Sequence, residues 1–209
     1  MRIPFVLLLC LSFILFGSCG SVNIKDKPID FDEQRKTLTL EYLKTRYDLE
    51  QSEPSIDPKM IVVHWTAIPS LEESFRAFKD PLLPNTRSDI TTAGALNVSA
   101  HFLVARDGTV YRLMPETTMA RHVIGLNHCA IGIENVGGTE NTPLTGKQLR
   151  ANVELVRYLK KKYPGIDYLI GHFEYTLFDG HPLWLEIDDG YRTEKADPGA
   201  DFIDKIRSK

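Results

Sequence analysis

The sequence predicts a single α/β domain in which helices flank a mixed central β-sheet. Short apolar runs typical of buried strands alternate with segments of helical periodicity, and one pair of runs is joined by an Asp-Gly turn. The chain has 209 residues, 43% of them hydrophobic and 25% charged, which is ordinary composition for one globular domain. Its formal net charge of -3 offers no basic surface to nucleic acid, so we expect no nucleic-acid partner.

The N-terminus has the features of an export signal. Arg2 precedes a largely apolar run, Ile3 to Phe16, which is short for a permanent membrane helix and ends in small residues. Phe16-Gly17-Ser18-Cys19 resembles a bacterial lipobox, in which a signal peptidase cuts before the cysteine and lipid is attached to it. We therefore expect residues 1–19 to be a signal peptide with a lipobox and Cys19 to be lipidated. The protein would then be anchored in the cell envelope facing the periplasm, with the outer membrane as the expected location; a plain secretory signal is the alternative.

Residues 20–58 are predicted to form a tether and an N-terminal arm. From Gly20 to about Asp30 the composition is mostly polar, and we expect little structure there. From Asp32 to Tyr47 the apolar positions fit a helical face, and two prolines between Gln51 and Lys59 lead into the next strand. We expect this arm to pack on a domain that spans residues 59–209.

The first strand of that domain carries an unusual residue at its end. Ile61-Val62-Val63 is typical of a strand buried on both faces, and His64 follows it directly. Ser70 and Glu73 then have the spacing of a capping box, which predicts a short helix through about Phe78. The stretch 80–97, rich in Pro, Thr, Ser and Asn, predicts a long loop and a wall for a substrate groove.

A hairpin and two further strands follow. Residues 99–104 and 109–113 flank Asp107-Gly108, a dipeptide that readily adopts the positive backbone angles of a tight turn. Residues 130–134 predict a strand that ends at the carboxylate of Glu134. A second capping box at Thr145 and Gln148 opens a helix to about Tyr163, and a strand over 166–170 then ends in Gly171-His172.

The sequence contains three potential metal ligands, two at strand ends and one before a turn. His64 and His172 lie at the carboxyl ends of separate apolar strands, where open sheets place their sites, and Asp197 stands just before Pro198-Gly199. Two imidazoles and one carboxylate suffice for catalytic zinc, which keeps three protein ligands and leaves a fourth position to water. Spacing alone leaves structural roles open, since each histidine suits a strand end and Asp197 suits an N-cap.

Ordered blocks of the chain resemble the zinc-dependent N-acetylmuramoyl-L-alanine amidases, a family that includes phage-lysozyme amidases, bacterial muropeptide amidases and animal peptidoglycan recognition proteins. The blocks are His64-Trp65-Thr66-Ala67, residues 99–104 with Asp107-Gly108, residues 125–128, residues 131–134, Gly171-His172 and Asp197-Pro198-Gly199. They cover roughly residues 60 to 202 in family order. The resemblance implies zinc held by His64, His172 and Asp197, and cleavage of the amide that joins the lactyl group of muramic acid to L-alanine.

The resemblance also implies roles for other residues. Glu134 matches a glutamate that acts as the general base in one branch of the family; other members use a tyrosine where this chain has Ala100. Lys195 matches a lysine that stabilises the oxyanion of the tetrahedral intermediate. His122 and Asn127 match groove residues that contact glycan or peptide, with a structural loop role as the alternative for His122.

The chain departs from the family in one segment. His172 and Asp197 are 25 positions apart (197 − 172), which is longer than the compact loop usual in the family. We expect the insert to shape the groove, with Trp184 available either to stack on a sugar or to pack on the rim. His181, within the insert, is an alternative ligand to His172, but His172 is favoured because it follows a strand.

These observations predict a monomeric zinc amidase that acts on peptidoglycan or muropeptides and meets the membrane only through its N-terminal lipid. Two rival hypotheses remain open. A peptidoglycan-binding module without catalysis is disfavoured because the complete ligand set and a candidate base are present. A metallopeptidase that cuts within the stem peptide would share every ligand.

Overall fold

The computed structural model describes residues 22–85 and 90–209. The predicted signal peptide and lipobox, including Cys19, lie outside these residues. The strands are β1 (Ile24–Asp26), β2 (Met60–Trp65), β3 (Phe102–Val104), β4 (Val110–Arg112), β5 (Ala130–Asn135) and β6 (Tyr168–Gly171). The helices are α1 (Glu33–Tyr47), α2 (Leu71–Lys79), α3 (Gly146–Lys162) and α4 (Ala200–Arg207), with short 3-10 helices at Thr91–Ala93 and His172–Phe178.

Within the described residues, the strands form one six-stranded sheet in the order β1-β4-β3-β5-β2-β6. The hairpin of β3 and β4 is antiparallel and the other neighbouring pairs are parallel, so the predicted mixed sheet is confirmed. Strand β2 lies between β5 and β6 and pairs with β5 along all six of its residues. This register places His64 beside Glu134.

Both faces of β2 are covered, as its uninterrupted apolar run predicts. Met60 and Val62 pack in a core cluster with Tyr42 of α1, whereas Ile61 and Val63 pack on the opposite face with residues of α3 and α4. Because successive side chains of a strand point to opposite faces, His64 projects to the same side as Val62. The face that carries α1 is therefore the face that carries the site.

The predicted helix starts are confirmed by their caps. The Ser70 hydroxyl accepts from the backbone N–H of Glu73 at 3.2 Å, and Thr145 and Gln148 form a reciprocal capping box at the start of α3. None of the helices in residues 22–85 and 90–209 has the length and apolar character needed to cross a bilayer.

The expectation of little structure between residues 20 and 30 is wrong. Strand β1 pairs in parallel with β4, and beyond it the backbone N–H groups of Lys27 and Ile29 donate to Arg112 and Leu113 at 2.9 and 3.0 Å. Strand β4 would otherwise present unpaired backbone groups at the edge of the sheet. Ile29, which is 4% exposed, also packs in a core cluster, so this part of the tether belongs to the fold.

Helix α1 packs on the sheet and also meets the insert between His172 and Asp197. Arg46 near the end of α1 forms a buried ion pair with Glu186 of the insert, with 2.6 Å between the guanidinium nitrogen and the carboxylate oxygen. The backbone N–H of Ile187 donates to the carbonyl of Arg46 at 3.1 Å. Helix α1 and the insert therefore form one wall beside the sheet.

Candidate active site

The three predicted metal ligands meet at the carboxyl edge of the sheet. Val63 and Gly171 are paired in the parallel ladder of β2 and β6, so His64 and His172, which follow them, leave the sheet side by side. The backbone N–H of Phe173 donates to the carbonyl of Asp197 at 3.0 Å. This bond holds the loop before α4 against the start of the 3-10 helix, which places the Asp197 carboxylate next to both imidazoles.

The donor atoms of the three residues form a small triangle. His64 Nδ1 lies 3.0 Å from His172 Nδ1 and 3.2 Å from Asp197 Oδ2, and His172 Nδ1 lies 3.1 Å from the same carboxylate oxygen. Zinc with bonds near 2 Å in a tetrahedral site holds its ligand atoms about 3.3 Å apart. The three side chains thus have both the chemistry and the spacing of three corners of a zinc site.

The charge states of these residues also suit a cation. Burial, reinforced by the neighbouring His64, lowers the pKa of His172 to about 4, so its imidazole is neutral at pH 7. Burial would by itself raise the pKa of Asp197, but the adjacent imidazoles of His172 and His64 hold it well below its usual value. A neutral imidazole and an ionised carboxylate are the forms that bind metal.

His122 lies at the cleft, and both of its ring nitrogens contact protein atoms. Its Nδ1 lies 3.0 Å from Nε2 of His64, and its own Nε2 lies 3.2 Å from the carbonyl of Ala130. The ring borders the cleft, but it is largely buried and both of its nitrogens have protein partners. Of the two roles left open for His122, these contacts favour the structural one, and a contact with substrate stays a prediction.

Asn127 also borders the cleft and is held by contacts with the protein. Its side-chain oxygen accepts from the backbone N–H groups of His122 and Val123, both at 2.8 Å, and its amide nitrogen donates to the Tyr47 hydroxyl at 2.9 Å. The residue is 1% exposed and its carboxamide braces the loop that carries His122. Its contact with substrate stays a prediction.

Glu134 and Lys195 both border the cleft that contains the three donor residues. In a parallel ladder, paired residues point to the same face, so Glu134 projects beside His64 from the neighbouring strand. Lys195 lies two residues before Asp197 and reaches the cleft from the insert. Their positions are compatible with the predicted roles of base and oxyanion stabiliser.

The cleft has a volume of about 190 Å³ and is walled by several elements. Tyr42 comes from α1, Phe78 from α2, Ile90 from the long loop, and Tyr191 and Thr193 from the insert. Tyr42 and Tyr191 were not predicted as cleft residues. An aromatic residue on the apolar face of a helix has the same pattern whether it packs in the core or borders a groove.

Trp184 does not border this cleft. It stacks on Tyr175 with 6.1 Å between ring centroids, and Arg192 lies 4.5 Å over its ring. Gly125 leaves the space that the indole fills, since a Cβ there would lie 2.7 Å from the ring. Trp184 therefore packs against its neighbours, and its stacking on a sugar stays a prediction. His181 contacts Tyr168 at 3.3 Å, and the donor triangle contains His172 and not His181.

Comparisons with known proteins agree with this arrangement. Residues 54–200 match the family model described as N-acetylmuramoyl-L-alanine amidase. The endolysin of Escherichia phage T7 is 35% identical over 77 residues, which is 34% of this chain and 51% of the relative. The endolysin of Klebsiella phage KP32 is 32% identical over 84 residues, which is 38% of this chain and 56% of the relative. The chain thus spans about half the length of the curated relatives it matches.

A solved structure extends the likeness to the whole fold. The crystal structure of a selenomethionine AmpD derivative superposes with a TM-score of 0.54 at 21% identity. The superposition covers 91% of this chain and 96% of that one. At this level of identity the likeness concerns the fold.

Proposed function

The chain belongs to the N-acetylmuramoyl-L-alanine amidase family, and we propose that it hydrolyses the amide between N-acetylmuramic acid and L-alanine in peptidoglycan or muropeptides. The observation that carries this proposal is the buried triangle of His64, His172 and Asp197 donor atoms, which opens into a cleft shared with Glu134. A recognition module needs a groove but has no need for three converging metal ligands.

Zinc would be held by Nδ1 of His64, Nδ1 of His172 and Oδ2 of Asp197. When bound there, zinc polarises the amide carbonyl and lowers the pKa of water toward neutrality, which supplies a nucleophile at pH 7. The burial of the three ligands excludes competing water from their side of the site. Each ligand is fixed by a strand or by a backbone hydrogen bond, so little ordering accompanies metal binding.

Glu134 is the proposed base and acid of the reaction. From its place beside His64, its carboxylate accepts a proton from the attacking water and then delivers it to the departing nitrogen of L-alanine. The Lys195 ammonium group stabilises the negative charge that develops on the carbonyl oxygen. Together these steps break the C–N bond and leave a free lactyl carboxylate and a free peptide amine.

The proposed function is tested by digesting purified peptidoglycan with the protein from Gly20 onward and identifying the products by mass spectrometry. The proposed reaction releases stem peptides that begin with L-alanine, and a chelator abolishes their release. Peptides cut within the stem would establish the metallopeptidase alternative instead. Retained binding without any cleavage would make the protein a recognition module. An Asp197→Asn variant is the matched negative control, because it alters one metal ligand with little change in shape.

We further propose that the mature chain is a lipoprotein of the cell envelope, attached through Cys19 and acting on the periplasmic side of the outer membrane. The support is the apolar run that ends in Phe16-Gly17-Ser18-Cys19. A Cys19→Ala variant should leave the membrane fraction, whereas Cys10→Ala, which alters a cysteine inside the apolar run, should stay there. Membrane association that survives Cys19→Ala would mean that the apolar run is an uncleaved anchor.

A further inference from the structure

We propose that His122 is a positioning residue, which fixes the tautomer of His64 so that the Nδ1 lone pair of His64 faces the metal. The inference rests on the metal site of the proposed function. It assigns to His122 a role in preparing that site rather than in contacting substrate.

The argument starts at a backbone carbonyl, which can only accept a hydrogen bond. His122 Nε2 lies 3.2 Å from the carbonyl oxygen of Ala130, so this nitrogen must carry the proton and donate it. The ring is buried, and burial disfavours the cationic form, so the imidazole carries a single proton. Nδ1 of His122 is therefore a bare acceptor.

The same reasoning applies to the ring of His64. His122 Nδ1 lies 3.0 Å from His64 Nε2, and the two rings are perpendicular with centroids 5.1 Å apart. Because the His122 nitrogen is an acceptor, Nε2 of His64 must donate. With its proton on Nε2, His64 presents a bare Nδ1, and this is the atom that faces His172 and Asp197.

Three neighbours hold His122 in the position this requires. Asn127 accepts from its backbone N–H at 2.8 Å. Gly132 of β5 lies directly under the ring, since a Cβ on that residue would lie 2.8 Å from Cγ of His122. His101 in turn accepts from the backbone N–H of Gly132 at 2.9 Å and contacts the carbonyl of Thr118 with its other nitrogen at 2.8 Å. Packing against β5 and these hydrogen bonds therefore fix the position of the His122 ring.

The first test compares zinc affinity in His122→Phe and His181→Phe, measured by competition with a chromophoric chelator at pH 7. Both variants replace a histidine by the same apolar ring, but His122 contacts a metal ligand whereas His181 contacts Tyr168. Loss of such a supporting partner typically weakens metal binding about 10–100-fold. We expect that loss for His122→Phe and unchanged zinc affinity for His181→Phe. Equal affinities in the two variants would overturn the inference.

A second pair of variants, His122→Asn and His122→Gln, tests the inference if His122→Phe does not fold. Asn at position 122 can place a carbonyl oxygen near the position of ring Nδ1, where it accepts from His64, whereas Gln reaches the position of Nε2 instead. We expect His122→Asn to bind zinc more tightly than His122→Gln; equal binding, or the opposite order, contradicts the proposed role. Long-range nitrogen NMR of the zinc-free wild type should show His64 as the Nε2–H tautomer, and the Nδ1–H tautomer would also contradict it.

These results are distinguishable from failure of the proposed function. A wild-type protein that binds no zinc would overturn both the metal site and this inference. A wild-type protein that binds zinc but releases no stem peptide would overturn the reaction alone, since the affinity comparison does not depend on activity.

Discussion

A single methyl group on β5 should disturb the metal site without touching a ligand. In Gly132→Ala, the new Cβ would lie 2.8 Å from Cγ and 2.9 Å from Cδ2 and Nδ1 of His122. Gly132 lies within a strand that is buried on both faces and is paired on both sides, so its backbone cannot retreat. The ring of His122 must therefore move.

The size of the displacement follows from these distances. An ordinary contact begins at 3.4 Å, so the ring must shift by about 0.6 Å (3.4 − 2.8) off the sheet. Such a shift lengthens the 3.0 Å contact between His122 Nδ1 and His64 Nε2 to as much as about 3.6 Å when it is directed away from His64, and at that distance no hydrogen bond remains. Overpacking of a core costs about 1–3 kcal/mol in unfolding free energy, which lowers Tm by roughly 2–12 °C in a domain of this size.

The assay combines thermal unfolding of the zinc-free protein with the chelator competition. We expect Gly132→Ala to lower Tm in that range and to weaken zinc binding as much as His122→Phe does. Gly146→Ala is the matched control, because a Cβ at the first residue of α3 meets nothing closer than 3.8 Å and alanine favours helix. A Gly132→Ala protein with wild-type Tm and zinc affinity would refute the reasoning about both the contact and the ring behind His64.

Three further changes probe the base, the wall of the cleft and the buried histidines. Replacing Glu134 by Gln should leave zinc content intact and reduce turnover by roughly 10²–10⁴-fold in the peptidoglycan assay; unchanged turnover would place the base elsewhere. Arg46→Ala leaves Glu186 buried without its cation, which should cost about 3–5 kcal/mol and speed proteolysis within the insert, whereas Lys44→Ala, which removes an exposed pair, should change little. Burial lowers the pKa of His101 to about 4, so its contribution to stability is complete above pH 6.5 and is lost as the pH falls toward 4. Denaturant unfolding of wild type and His101→Phe should therefore show a weaker dependence on pH between 4 and 6.5 in the variant, and parallel curves would contradict the assignment.

The sequence determined the parts of the site that follow from local pattern. A buried strand that ends in His64 and another that ends in Gly171-His172 place two imidazoles at one edge of a parallel sheet. Asp197 before its Pro-Gly turn completed the candidate ligand set, the resemblance to a family gave Glu134 its role, and the structure brings all four residues to one cleft. The hairpin of β3 and β4 and the capped starts of α2 and α3 were predictable for the same reason, since each depends on residues close together in the chain.

Only the tertiary structure decided what each remaining residue contacts. The roles of His122 and Asn127 depend on which atoms their buried polar groups meet, and these partners come from different strands and loops. The pairing of β1 with β4 joins segments far apart in the chain, and Arg46 meets Glu186 across 140 positions. Hydrophobic periodicity and turn-forming residues predict the local structure of residues that are neighbours in the chain. The partners of a buried polar group are set by three-dimensional packing, to which residues distant in sequence contribute equally.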